Sequence, residues 1–241
     1  MLIGENLTKR FGLTVALEDA NCIVEPGKIT AIIGPSGSGK STLLRILALI
    51  DPADSGSVTV DSHVYRHPSI DDEMPPPWPR VTVVFQQLFL WPHLSLRENI
   101  MLPARHRAVV DAETKFENLV KAFDMRGFVD RYPNQTSLGQ RQRAAIARAL
   151  ILEPSYILLD EVTSSLDVES IAAIVNHLRT MRTSGMGVFL ITHSLSFARS
   201  SADHVLFLDQ GRVLEAGGAR ILDAPEHPRL KQFVQLLETV R

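Results

Sequence analysis

The chain has 241 residues and a formal net charge of −2, which excludes a global basic field for nucleic acid or an anionic membrane surface. Its single cysteine, Cys22, excludes an intrachain disulfide and favours a reducing compartment. No stretch approaches the roughly 20 apolar residues of a membrane helix, and the opening "MLIGENLTKRFG" lacks the apolar region of a signal peptide.

In chain order, residues 1–8 and 17–25 alternate apolar with polar around a turn, which predicts antiparallel strands. "ITAII" (29–33) is apolar on consecutive positions, as expected of a strand covered on both faces. A helical pattern over 40–50 follows, and then strand-and-turn signals in "DSGSVTVD" (54–61). "HVYRH" (63–67) reads as a loop-rich piece with surface histidines at His63 and His67, without a clear third metal ligand. "DDEMPPPWPR" (71–80) is an exposed loop by its prolines. "VTVVF" (81–85) predicts a strand, and residues 88–135 are mostly helical. Within that stretch "LFLWPHLSL" (88–96) is either local core or a docking patch. Helices are expected at 138–152, 168–183 and 195–200. Strands are expected at "YILL" (156–159), "VFLIT" (188–192) and "VLFL" (205–208). "DQGRVLEAG" (209–217) contains strand and turn signals. "RLKQFVQLLETV" (229–240) places Leu230, Phe233, Val234 and Leu237 on one helical face, expected to pack on the core.

Strands alternating with helices argue an α/β fold with a mainly parallel sheet and flanking helices. To this the pattern adds an N-terminal antiparallel β part and a helical insertion. The expected division is 1–86 with 155–241 as the α/β core, and 87–154 as a helical subdomain.

"GPSGSGKST" (34–42) lies between the strand "ITAII" and the helical run "TLLRILALI". That context gives G-x-x-x-x-G-K-[ST] its phosphate-binding mechanics. Glycines allow a tight turn with inward amides, and the helix start adds its positive end. Gly34, Pro35, Ser36, Gly37, Ser38, Gly39, Lys40, Ser41 and Thr42 are therefore the candidate phosphate-binding residues. Lys40 supplies a point charge for β and γ phosphates, and Ser41 a hydroxyl for Mg²⁺. "YILLDE" ends a strand in two carboxylates, where ligands sit in open α/β sheets. Asp160 is placed to hold Mg²⁺, and Glu161 to polarise an attacking water. His193 ends "VFLITHS", where a neutral imidazole would donate to a γ-phosphate; a lone histidine is otherwise an ordinary strand-end residue. In "VVFQQ" Gln86 stands at a strand's end, from which it could reach Mg²⁺ or the water.

These motifs, with "SSLD" and the Ser-x-Gly-Gln helix start, occur in the order of ABC-transporter ATPase subunits, which the chain resembles over essentially its whole length. "VVFQQLFLWPHLSLRENI", "FARSSADHVLFLDQGRVLEAG" and "DAPEHPRLKQF" look most like the polar amino acid importers. The resemblance implies MgATP hydrolysis in a head-to-tail dimer seated on a membrane permease. A solute-binding protein is implied indirectly, and the place is cytoplasmic, on the inner face of the membrane. It also implies that Phe11 stacks on adenine, Gln86 is the Q-loop residue, Asp160 and Glu161 are the Walker B pair, Asp167 belongs to the D-loop, and His193 is the switch histidine. Ser137, Gly139 and Gln140 match a signature motif that closes over the partner's nucleotide.

The family signature reads Leu-Ser-Gly-Gly-Gln; here it is Thr136-Ser137-Leu138-Gly139-Gln140, so two of five positions depart. Ser137 with Gln140 is a capping-box pattern and predicts a helix start with free, outward amides. Leu138 puts a side chain where glycine leaves space. At about 100° per residue, Arg141 and Arg148 share a face and Arg143 lies nearly opposite. A DNA-reading helix would gather its charge on one side, so nucleic acid is not an expected partner. Arg143, beside Ala147 and Leu150, needs a carboxylate or carbonyl if that side is buried. The competing functions are a soluble ABC-type ATPase switch without a permease and a weakly hydrolysing ATP sensor.

Overall fold

The structure is a computed structural model and describes residues 1–68, 76–161 and 185–239. The helix expected at 168–183 and the first half of the proline-rich loop (71–75) lie outside them, as does "SSLD".

Two sheets form. The first is antiparallel, in the order β2-β1-β4-β5, from β1 (Leu2–Phe11), β2 (Thr14–Val24), β4 (Ser55–Val60) and β5 (His63–His67). The second runs β10-β9-β3-β8-β7-β6. It contains β3 (Ile29–Ile33), β6 (Val81–Val84), β7 (Tyr156–Asp160), β8 (Gly187–Ile191), β9 (His204–Asp209) and β10 (Arg212–Gly218). Its four pairs from β9 to β6 are parallel, and at the edge β10 joins β9 antiparallel. Every residue of β3, β7 and β8 is buried, as their unbroken apolar runs require.

Helices cover the sheet. α1 (Lys40–Leu47) buries Leu43, Leu44, Ile46 and Leu47 in a core shared with both sheets. α2 (Leu96–His106), α3 (Ala112–Ala122) and α4 (Leu138–Leu150) join a second core through Ile100, Phe116, Val120 and Ile146. α5 (Leu195–Ser201) and α6 (Pro228–Thr239) close a third over Ala31, Ile33 and Phe207. Leu230 and Val234 of α6 are buried and Phe233 and Leu237 partly so, as the helical face predicted. Short 3₁₀ turns occupy Pro133–Gln135 and Ala219–Leu222.

Two expectations need correction. "HVYRH" is a strand, because pairing with β4 drops Tyr65 into the core between exposed neighbours. The described end of the proline-rich segment is also not free: Pro77 is buried, and Trp78 packs 6.2 Å from the His106 ring with the Arg107 guanidinium 5.0 Å from its own. Of the two histidines expected at the surface, His63 is exposed, whereas both ring nitrogens of His67 are buried.

Cys22 is buried on β2, and burial pushes its thiol up to about 12.

Phe116 is fully buried, with the Arg97 guanidinium 4.4 Å from its ring centre. Phe116→Ala removes a whole core side chain and should cost about 3–5 kcal/mol in denaturant unfolding. Leu236→Ala on the exposed face of α6 should cost far less, within about 0.5 kcal/mol.

Candidate functional site

Parallel register assembles the site. β3 pairs with β8, β8 with β7 and β7 with β6, so four strand ends lie side by side. The ladder continues one step beyond the strands: Glu161 N donates to Ile191 O at 3.1 Å, and Thr192 N to Ile32 O at 3.2 Å. Residues 34–42, His193, Asp160 with Glu161, and Gln86 therefore leave one edge at one level.

The loop after β3 turns on left-handed glycines. Gly34 (φ 151°) and Gly39 (φ 107°) have backbone oxygens 2.0 and 2.3 Å from where a Cβ would stand. No other residue fits at either position. Gly39 caps α1, whose first residue is Lys40. Lys40 is buried, and its ammonium donates to Gly34 O (2.9 Å) and Pro35 O (2.7 Å), with Ser38 Oγ at 3.4 Å. Burial lowers its pKa, while the charges of Glu161, Asp160 and Asp209 oppose that shift.

Ser41 Oγ donates to Asp160 Oδ1 at 3.4 Å. Asp160 is buried, and desolvation raises its pKa; the neighbouring Glu161 charge pushes the same way, against the Ser41 hydrogen bond and the Lys40 and His193 charges. Glu161 takes a left-handed backbone (φ 50°). Its carboxylate meets two side chains: Gln86 Nε2 lies 3.4 Å from one oxygen, and His193 Nε2 hydrogen-bonds the other. The structure thus brings Lys40, Ser41, Asp160, Glu161, Gln86 and His193 into one cluster. His193, read from the sequence as a γ-phosphate donor, here contacts Glu161.

No described hydrogen bond links Phe11, Ser137, Gly139 or Gln140 to that cluster. Phe11 ends β1 at the turn to β2, 55 % exposed, with Lys9 Nζ 5.6 Å from its ring centre. Ser137 caps α4: its Oγ accepts from Gln140 N (3.2 Å), and Gln140 Oε1 accepts from Ser137 N (3.0 Å). This is the capping box the sequence predicts. Ser137 is exposed, and Leu138, the first residue of α4, is 37 % exposed. No described hydrogen bond joins α4's first turn to residues 34–42. Asp167 lies outside the described residues.

Two arginines of α4, Arg143 and Arg148, reach backbone carbonyls. Arg143 donates to Phe123 O at 3.1 Å and stacks 4.9 Å from the Phe128 ring, so its partner is a carbonyl. Arg148 donates to Leu88 O (2.6 Å) and Phe89 O (2.7 Å), tying the segment after Gln86 to α4. Both Leu88 and Phe89 have positive φ, a shape with no signal in the sequence. Asn99 is likewise unforeseen: fully buried, it binds Trp91 N and O, Leu94 O and Ser95 O, and so moulds the turn before α2. Beside Arg148 a groove of about 570 Å³ is lined by Ile50, Trp78, Trp91, Leu102 and His106.

Because Asp160's folded-state pKa is raised, its charged form destabilises the fold. The penalty is absent below the ordinary carboxylate value, sets in as pH climbs past it, and is complete above the raised value. Asp160→Asn should therefore melt above the parent at neutral pH. The difference should shrink on acidification, as followed by thermal unfolding across pH.

Comparisons with known proteins agree with this geometry. Residues 17–164 match the ABC transporter family. The L-cystine transport system ATP-binding protein TcyN of Escherichia coli is 38 % identical over 239 residues, covering 96 % of each chain. The glutamine transport ATP-binding protein GlnQ of the same organism is 36 % identical, over 98 % of this chain and 99 % of its own. A solved ATP-binding cassette, a dimer in a post-hydrolysis state bound to ADP and Pi, superposes with a TM-score of 0.81 at 33 % identity. It covers 91 % of this chain and 99 % of its own. With its phosphate loop, paired carboxylates and capped helix start in one α/β frame, this chain belongs to the ABC transporter family.

Proposed function

We propose that the chain is the ATP-hydrolysing subunit of an importer of polar amino acids, working as a head-to-tail pair on a membrane permease. Membership of the ABC transporter family supports ATP-driven transport, and the two amino acid transport relatives support the solute class. The observation that carries the catalytic part is the cluster in which Glu161 stands between Gln86 and His193, beside Lys40, Ser41 and Asp160.

In this reading residues 34–42 cradle the phosphates. Lys40 releases Gly34 O and Pro35 O to bind β and γ oxygens. Ser41, Asp160 and Gln86 offer hard oxygen donors on one side, which fits Mg²⁺, an ion that keeps waters and substrate oxygens in its shell. When bound, Mg²⁺ neutralises charge developing on the phosphates. Glu161 orients and deprotonates the attacking water. His193 and Gln86 hold that carboxylate until the water arrives. Phe11, exposed at its turn, offers a ring to adenine.

The dimeric state of the solved relative supports the pairing. Residues 87–154 form the helical part that faces the partner, and 1–86 with 155–241 the part that grips the nucleotide. Ser137, Gly139 and Gln140, at the exposed start of α4, close over the partner's γ-phosphate; Asp167 joins that seam. The groove beside Arg148 receives a permease segment, placing the chain on the inner face of the membrane. Among the described residues no helix is long and apolar enough to cross a membrane itself. A solute-binding protein acts only through the permease.

Glu161→Gln should keep ATP binding, reduce hydrolysis by about 10²-fold or more, and lengthen the life of the ATP-bound pair in size-exclusion chromatography. Undiminished hydrolysis would remove Glu161 from this role. Leu138→Gly should raise turnover of the complex copurified with its permease, by up to about a hundredfold if the leucine displaces one aligned donor. An equal or lower rate would show that the leucine is accommodated.

A further inference from the structure

We propose that Arg229, in the first turn of α6, is a positioning residue for the phosphate loop, acting through Asp209 and the turn between β9 and β10. The inference rests on the reading that residues 34–42 bind nucleotide phosphates.

The contacts form a chain. Arg229 Nε donates to Asp209 Oδ2 at 2.6 Å. Asp209 ends β9, and its side chain is only 8 % exposed while that of Arg229 is 41 % exposed. Backbone on both sides of Asp209 meets the phosphate loop. On one side, Ile33 pairs with Phe207, which brings Leu208 level with Gly34. Leu208 O lies so close there that a Cβ on Gly34 would stand 2.0 Å away. On the other side, Gly211 N donates to Ser38 O at 3.0 Å. Between them Gln210 and Gly211 take φ values of 48° and 80°, a tight left-handed turn. Gly211 O in turn accepts from Glu18 N at 2.9 Å, so the turn is braced against β2 as well.

Asp209 is thus the one acid in a turn whose flanking backbone forms the back wall of the loop. Its charge also faces Lys40, alongside those of Asp160 and Glu161. A buried carboxylate needs a partner, and α6 supplies it. The helix itself is docked independently: Leu230 and Val234 are buried, and Arg199 of α5 bonds Glu238 at 2.8 Å. Loss of Arg229 would therefore leave α6 seated while freeing Asp209 to turn toward solvent or toward Lys40. Either movement shifts Ser38 and Gly34.

The test uses the full chain, with MgADP as the probe in calorimetric titration, and MgATP in steady-state hydrolysis. Arg229→Gln should weaken MgADP binding about tenfold and raise KM for ATP with kcat retained. Asp209→Asn should do the same, and the double variant should be no weaker than either single one. Arg229→Lys should recover part of the affinity, which keeps the test open if the glutamine variant folds poorly. Glu238→Gln, which cuts only the α5–α6 pair, should leave affinity within about twofold. Unchanged affinity in Arg229→Gln, additive losses in the double variant, or an equal loss in Glu238→Gln would overturn the proposal. A parent chain that binds no MgADP would instead overturn the nucleotide reading on which it rests.

Discussion

Parallel pairing of β6, β7, β8 and β3 is the constraint on which the site depends. Side chains alternate along a strand, so a slip of one residue would send Asp160 and its neighbours to the opposite face. The slip is prevented because these strands are buried on both sides. Ile157 and Leu159 belong to one core, while Tyr156 and Leu158 belong to another. Two backbone hydrogen bonds, from Glu161 to Ile191 and from Thr192 to Ile32, then carry the register past the strand ends. Packing far below the surface thereby sets where the polar residues emerge.

At that edge two buried groups of opposite charge stand side by side. A buried ammonium satisfied by two carbonyls stands next to a carboxylate that burial makes reluctant to ionise. Each group costs free energy to hold in place. On the proposed function, a bound phosphate and cation would offset those costs. Glu161 differs from Asp160, since its contacts with Gln86 and His193 come from the two flanking strand ends.

Local features were legible in the sequence. The glycine spacing of residues 34–42 and the Ser137–Gln140 box need only a few consecutive residues, so their geometry is written in a short span. The apolar runs of β3, β7 and β8 marked a covered parallel sheet for the same reason. The demand of Arg143 for a partner was also readable, because it follows from burial alone. What was not readable depends on distant partners. Arg148 finds the carbonyls of Leu88 and Phe89, about 60 residues earlier. β5 exists only because β4 lies beside it, and Trp78 is docked by α2. Nothing near Arg229 in the chain announces a bond to Asp209.

The seclusion of Cys22 has a practical corollary. A sulfur enclosed by β-sheet, and reluctant to form the reactive anion, is silent toward maleimides and spin labels while the protein stays folded. Any cysteine introduced on the outside is then the sole handle for attaching a reporter. Distances across an assembled pair become measurable from one substitution per copy, with no need to remove the native sulfur first.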